Sequence, residues 1–181
     1  MPNLRAPLFL LVLVGLFIAA LTPSTAIAVK DGEKVRMEDQ CDPSDPAWGA
    51  TGGCQLPDGT VSEAEFRVFS FMTTGSPFVA SVIGHPAWRN NPGFVVLPFG
   101  ESLKVTNEGG RGHTFTEVPD FGGGRVPPLN AGLTPLTQCA TAASAPVILP
   151  GGRVDFSNLS EGVHKFQCCL HPWMRTVVSV E

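Results

Sequence analysis

Near its C-terminus the chain reads Gly162-Val163-His164-Lys165-Phe166-Gln167-Cys168-Cys169-Leu170-His171-Pro172-Trp173-Met174-Arg175. A thiol, an imidazole and a thioether at Cys-x-x-His-x-x-Met spacing converge if the loop carrying them curls between two strands. Soft sulfur and nitrogen donors of this kind suit copper and suit magnesium or calcium poorly. A trigonal copper site takes two His and one Cys with a weak axial Met, so this loop is one imidazole short. Arg111-Gly112-His113-Thr114-Phe115-Thr116 supplies it, because His113 follows a Gly-rich turn and opens a strand-like run. The expected ligands of one copper ion are therefore His113, Cys168, His171 and Met174. Zinc is the competing metal, since Cys and His bind it well. Zinc rarely recruits Met, and Met174 tips the choice toward copper.

Holding donors 55 residues apart at one point requires a rigid frame, and the composition points to a β-sandwich. The 20 Gly and 17 Pro argue against a helical bundle and for short strands joined by tight turns. Strand-like runs rich in Val, Phe, Ile or Thr cover Phe66 to Met72, Phe78 to Ile83, Phe94 to Leu97, Ser102 to Thr106 and Thr114 to Val118. Four more cover Val147 to Leu149, Arg153 to Phe156, Val163 to Cys168 and Thr176 to Val180. About eight short strands at this spacing predict an all-β, Greek-key sandwich. Phe121 to Ala145, with Gly122-Gly123-Gly124 and Pro127-Pro128, reads as a long loop that is either functional or a cover for one end of the sandwich.

The N-terminus reads as an export signal. Arg5 precedes an uncharged stretch from Ala6 through Val29, and Ala26-Ile27-Ala28 is a small-x-small triplet, so cleavage is expected after Ala28. The strongly apolar part is shorter than the roughly 20 residues of a spanning helix. The expected organisation is a signal peptide over 1–28, an irregular N-terminal extension over 29–60 and one copper-binding domain over 61–181. The mature part carries 11 basic and 16 acidic residues without a basic cluster, which gives nucleic-acid binding no electrostatic support.

Five cysteines in an exported chain imply disulfides plus a remainder. A metal that takes the leftover thiol as thiolate would shield it from oxidation. A Cys41–Cys54 bridge would close a loop of 14 residues, for which chain entropy gives about 3 kcal/mol. Four non-ligand cysteines allow three pairings. Cys169 is an alternative ligand to Cys168, but only Cys168 has the Cys-x-x-His-x-x-Met spacing, and adjacent residues of an extended chain face opposite ways.

The Gly112-His113-Thr114-Phe115-Thr116-Glu117 and Cys168-x-x-His171-Pro172-x-Met174 segments resemble the copper site of the plastocyanin, pseudoazurin and amicyanin group of cupredoxins. The tight second loop most resembles amicyanin. The approach Gly162-x-His164-x-Phe166-x-Cys168 resembles Gly-x-Tyr-x-Phe-x-Cys, with His164 in the aromatic position. The segments, with Phe121-Gly122-Gly123-Gly124, also resemble a group of exported bacterial plastocyanin-like proteins. The similarity covers about Phe94 to Glu181. It implies a type 1 copper ion, with Cys168 as electronic conduit, His113 and His171 completing the trigonal plane and Met174 tuning the potential. It also implies that His171 is the more exposed histidine and the exit to a redox protein docking near His171 and Trp173. Two departures stand out: Gly112 occupies the place where cupredoxins commonly carry an Asn that ties two ligand loops together, and Cys169 follows the ligand directly. Turned away from the metal, Cys169 could pair with Cys139.

The expectation is a monomeric periplasmic or secreted electron carrier with no stable membrane insertion after signal cleavage. A copper carrier or sensor is the first alternative and a small copper enzyme with an open coordination position the second. No Ser-His-Asp arrangement or phosphate loop points to hydrolysis or phosphoryl transfer. His85 reads as a loop histidine rather than a ligand, and His164 as structural or solvent-facing.

Overall fold

A computed structural model describes residues 32–71, 84–130 and 132–181. The expected signal peptide and the strand expected over Phe78 to Ile83 lie outside these residues.

Among the described residues eight strands form two four-stranded sheets. In the first, β2 (Arg89–Asn91), β1 (Lys34–Glu38), β4 (Leu103–Asn107) and β6 (Arg153–Phe156) lie side by side in that order. In the second the order is β3 (Phe94–Leu97), β8 (Arg175–Val180), β7 (Gly162–Gln167) and β5 (Thr116–Val118). Each sheet contains one parallel pair, β1 with β4 and β3 with β8, and is otherwise antiparallel. Alternation of side chains along each strand fills the space between the sheets. Val35, Met37, Leu103 and Val105 enter from the first sheet, and Val95, Leu97, Phe166, Val178 and Val180 from the second.

The expected β-sandwich is therefore present, with differences in detail. Lys34-Val35-Arg36-Met37-Glu38, inside the stretch expected to be irregular, is an inner strand of the first sheet. Its charged residues hide it in a search for Val- and Phe-rich runs, yet Val35 and Met37 are buried at period two. The run from Phe66 is helix α1 (Glu63–Phe71) rather than a strand. Ser62 caps it by accepting the Glu65 amide proton at 3.1 Å, Glu63 and Glu65 place negative charge in the first turn, and Glu63 pairs with Arg67 one turn on. Ser62-Glu63-Ala64-Glu65 is a capping-box sequence, and that local signal outweighs the β propensity of the following Phe and Val. The Val147 to Leu149 run contributes a single bridge, His113 to Ile148, instead of a strand.

Candidate metal centre

The two halves of the expected site arrive from different strands. Leu103-Lys104-Val105-Thr106-Asn107 feeds a turn at 108–112 that delivers His113, while β7 runs directly into Cys168. Past Cys168 the chain folds back on itself. The Cys168 N–H donates to the Met174 carbonyl and the Met174 N–H to the His171 carbonyl, each at 2.9 Å. These two bonds close the Cys-x-x-His-x-x-Met segment into a small ring that β8 then leaves.

His113 Nδ1 lies 3.9 Å and His171 Nδ1 3.7 Å from the Cys168 sulfur. The three donor atoms all fall within 4.8 Å of one another. Metal bonds of about 2.0 Å to imidazole nitrogen and 2.3 Å to thiolate, opened to 120°, put such atoms about 3.8 Å apart. The spacing therefore suits one ion held by all three donors. All three residues are buried, and so is the whole Met174 side chain. A thiolate and two imidazoles in a dry site, with the Met174 side chain buried in the same core cluster, are donors that suit mononuclear copper.

The charges around the sulfur prepare it for a cation. Burial alone would raise the Cys168 thiol, but hydrogen bonds and charge from His113 and His171 outweigh it and hold the group well below its usual range. Burial would likewise depress His113, yet the bond to Asp39 and the adjacent Cys168 sulfur lift it to about 9. His171 is pushed down, chiefly by burial. The contact between the two groups thus raises the proton affinity of His113 and lowers that of Cys168, and it is a contact that a metal ion would replace.

The other cysteines are accounted for as the arithmetic allows. Cys41–Cys54 and Cys139–Cys169 are disulfides, and Cys168 is the free cysteine. Cys169 faces away from the donors, and its carbonyl accepts the Arg125 amide proton at 2.8 Å. The long loop is thereby fixed against the site. Gln167 exchanges bonds with the Gly122 backbone at 3.0 and 3.2 Å, and Asn130 does the same with Gly124 at 2.7 and 2.9 Å. A side chain on Gly124 would collide with the Cys169 carbonyl.

Residues outside the ligand set hold the site together. The tie between ligand loops comes from Thr114, next to His113 on the far side from Gly112. Its hydroxyl accepts the Cys169 N–H at 2.7 Å and its own N–H points at the Cys168 sulfur at 3.4 Å. Gly112 is small because a Cβ there would press on Val147 at 2.7 Å. Asp39, from the chain just after β1, accepts a hydrogen bond from His113 Nε2 at 2.8 Å. On the other side, His171 is enclosed by aromatic rings: Trp173 at 5.5 Å, Phe66 at 6.0 Å and Trp88 at 6.5 Å between centroids. The Trp173 indole donates to the Trp88 carbonyl at 3.0 Å, and Gly84 leaves room for that indole. His171 keeps 8% of its surface against none for His113, which matches the expected order of exposure, but Pro172 and Trp173 are buried instead of forming an open rim. His85 belongs to this aromatic group, 4.9 Å from Trp88, and is not among the clustered donors.

No family model matches the chain, and no curated protein matches it significantly. Among solved structures it is similar to a purple cupredoxin from Nitrosopumilus maritimus, with a TM-score of 0.39 and 22% identity over 54% of this chain and 86% of that one. It is also similar to the reduced Cu(I) form of an amicyanin variant at pH 4, with a TM-score of 0.36 and 17% identity over 51% of this chain and 73% of that one. An oxidised amicyanin variant gives a TM-score of 0.34 and 16% identity over 49% and 70%. These likenesses are weak ones of fold, and the grouping of His113, Cys168 and His171 stands on the distances given above. Two sheets packed face to face, with His113, Cys168 and His171 gathered where distant strands meet, make this a β-sandwich carrying a buried three-donor group whose chemistry suits a copper ion.

Proposed function

We propose that this chain is an exported type 1 copper protein that carries single electrons between redox partners, with His113, Cys168, His171 and Met174 as ligands. The observation that carries the reading is the buried His113–Cys168–His171 group, whose spacing would let all three residues hold one ion. Bound copper supplies a one-electron couple. The chain's part is to keep the donors still: Asp39 holds the His113 ring, Thr114 holds the Cys168 sulfur, the aromatic rings wedge His171, and Met174 is locked by the hydrogen-bonded loop. Donors that do not move with charge keep the barrier to electron transfer low.

His171 is the natural exit for the electron. It retains some exposure and lines a cavity of about 410 Å³ together with the apolar Val126, Leu129, Val147, Leu149 and Leu170. Val147 and Leu149 are themselves exposed, which supports a redox protein docking at this end, near His171 and Trp173. Export to the periplasm or beyond is supported by the two disulfides, which persist in oxidising compartments. Among the described residues no helix is long and apolar enough to cross a membrane.

The test is an absorption and EPR spectrum of the copper(II)-loaded mature chain, with Cys168→Ser and Cys169→Ser alongside. An intense blue, green or purple colour lost only in Cys168→Ser is expected, with reversible voltammetry. A colourless copper-loaded protein overturns the reading. Rapid loss of copper to a chelator with no reversible wave favours a copper carrier instead.

A further inference from the structure

The Asp39 carboxylate lies on neither ligand loop, and it reaches the site through sheet pairing. β1 and β4 run parallel with Met37 opposite Asn107, so the residues that follow each strand travel together. Asp39 therefore ends beside Gly109, Gly110 and Arg111, just before His113. There it is almost completely buried and fully engaged. Oδ1 accepts the backbone N–H of Cys41 at 3.3 Å and of Gly110 at 3.1 Å. Oδ2 accepts the backbone N–H of Arg111 at 3.0 Å and Nε2–H of His113 at 2.8 Å. A Cβ on Gly109 would fall on this carboxylate, and one on Gly110 would meet the Cys41 sulfur at 2.6 Å, so the double glycine is what lets the backbone close around it.

A buried carboxylate needs such partners, because an ion removed from water without them is strongly disfavoured. What distinguishes Asp39 is that one partner is a metal-facing imidazole. His113 points Nδ1 at Cys168 and Nε2 at Asp39. Donation from Nε2 leaves the lone pair on Nδ1, fixes the ring's orientation and makes it a more basic ligand.

Resting on the copper reading, we propose that Asp39 is a positioning residue that orients His113 and, by adding negative charge behind it, favours copper(II) over copper(I) and lowers the reduction potential. Thiolate and carboxylate then flank one imidazole edge to edge, an arrangement better matched to the doubly charged ion than to the singly charged one.

Asp39→Asn keeps the size of the side chain and removes its charge. Loss of an outer-shell partner of a metal-bound His lowers metal affinity about 10- to 100-fold. If that loss falls on copper(II), the potential rises by about 59 to 118 mV, at 59 mV per tenfold for one electron. Zinc(II) affinity of the same variant falls by a similar factor, a readout independent of copper electrochemistry. The control Glu117→Gln changes a surface carboxylate bonded to His164 and leaves the potential where it was. A third measurement needs no variant: in the zinc-loaded wild-type chain, Nε2 of His113 carries a proton that resists exchange with solvent and Nδ1 carries none. A rapidly exchanging proton there, or an Asp39→Asn potential and zinc affinity equal to wild type, overturns the proposal. A chain that binds zinc as described but gives no coloured copper complex refutes the proposed function and leaves the role of Asp39 in ligand placement intact.

Discussion

Among the described residues there are two histidine–carboxylate pairs of nearly equal length, and they do different work. His113 Nε2 meets Asp39 at 2.8 Å with both side chains 0% exposed. His164 Nδ1 meets Glu117 at 2.7 Å across β5 and β7, toward the edge of the second sheet, where the Glu117 side chain is 51% exposed. Water screens the second pair and solvates either member when the other is lost. Nothing solvates the first except the Cys41, Gly110 and Arg111 amides and the histidine itself. Distance alone therefore says little about an ion pair. Burial and the direction of the second ring nitrogen decide its role, and only His113 turns that nitrogen to a buried thiolate.

The sharpest way to break the comparison is to remove one histidine from each pair. His113→Ala strands the Asp39 charge in the interior and is expected to cost the metal-free chain about 3–5 kcal/mol in urea unfolding. His164→Ala is expected to cost less than about 1 kcal/mol. Equal losses would mean that the buried pair contributes no more than the exposed one. A somewhat smaller effect tests what holds the buried carboxylate in place. Cys41→Ala with Cys54→Ala opens a loop whose closure stabilises the fold by about 3 kcal/mol. The Cys41 amide is also a donor to Asp39, and Arg111 bonds the Trp48, Thr51 and Gly53 carbonyls inside that loop. The opened variant should thus lose metal affinity as well as stability. Unchanged zinc affinity would show that the carboxylate keeps its place without the bridge.

The same comparison separates what the sequence discloses from what only the fold provides. Cys168, His171 and Met174 are legible because a tight loop must carry its donors at short, fixed spacing, and His113 because it opens a strand after a Gly-rich turn. Strands such as Phe94–Leu97 and Arg153–Phe156 are legible for a similar reason, since their residues alternate within one short segment. Asp39 is not legible, because its partner lies 74 residues away and the two meet only through the parallel register of β1 and β4. The rings of Phe66 and Trp88 around His171 also require tertiary contact, and Phe66 reaches it from a helix whose capping sequence competes with strand-forming residues. Local signals expose ligands, and long-range pairing supplies their supports.

The smallest expected effect lies in the exposed pair and concerns pH. His164 Nδ1 faces Glu117 Oε1 at 2.7 Å while Nε2 faces the Ser160 carbonyl at 2.8 Å. Both partners are acceptors, so only the doubly protonated ring can donate to each. The Glu117 bond, against modest burial, accordingly raises the His164 pKa above its ordinary value of 6.5. A raised folded-state pKa means that the folded chain holds the proton more tightly than the unfolded chain does. Its stabilisation is complete below about pH 6.5 and fades as pH rises through the higher folded value. Screening limits the contribution to a fraction of about 1 kcal/mol. Wild type and His164→Gln, unfolded in urea at acid and alkaline pH, should differ by this small amount on the acid side and converge on the alkaline side. A gap that widens with rising pH would mean that the ring is held neutral, and that this pair is a neutral hydrogen bond with no ionic part.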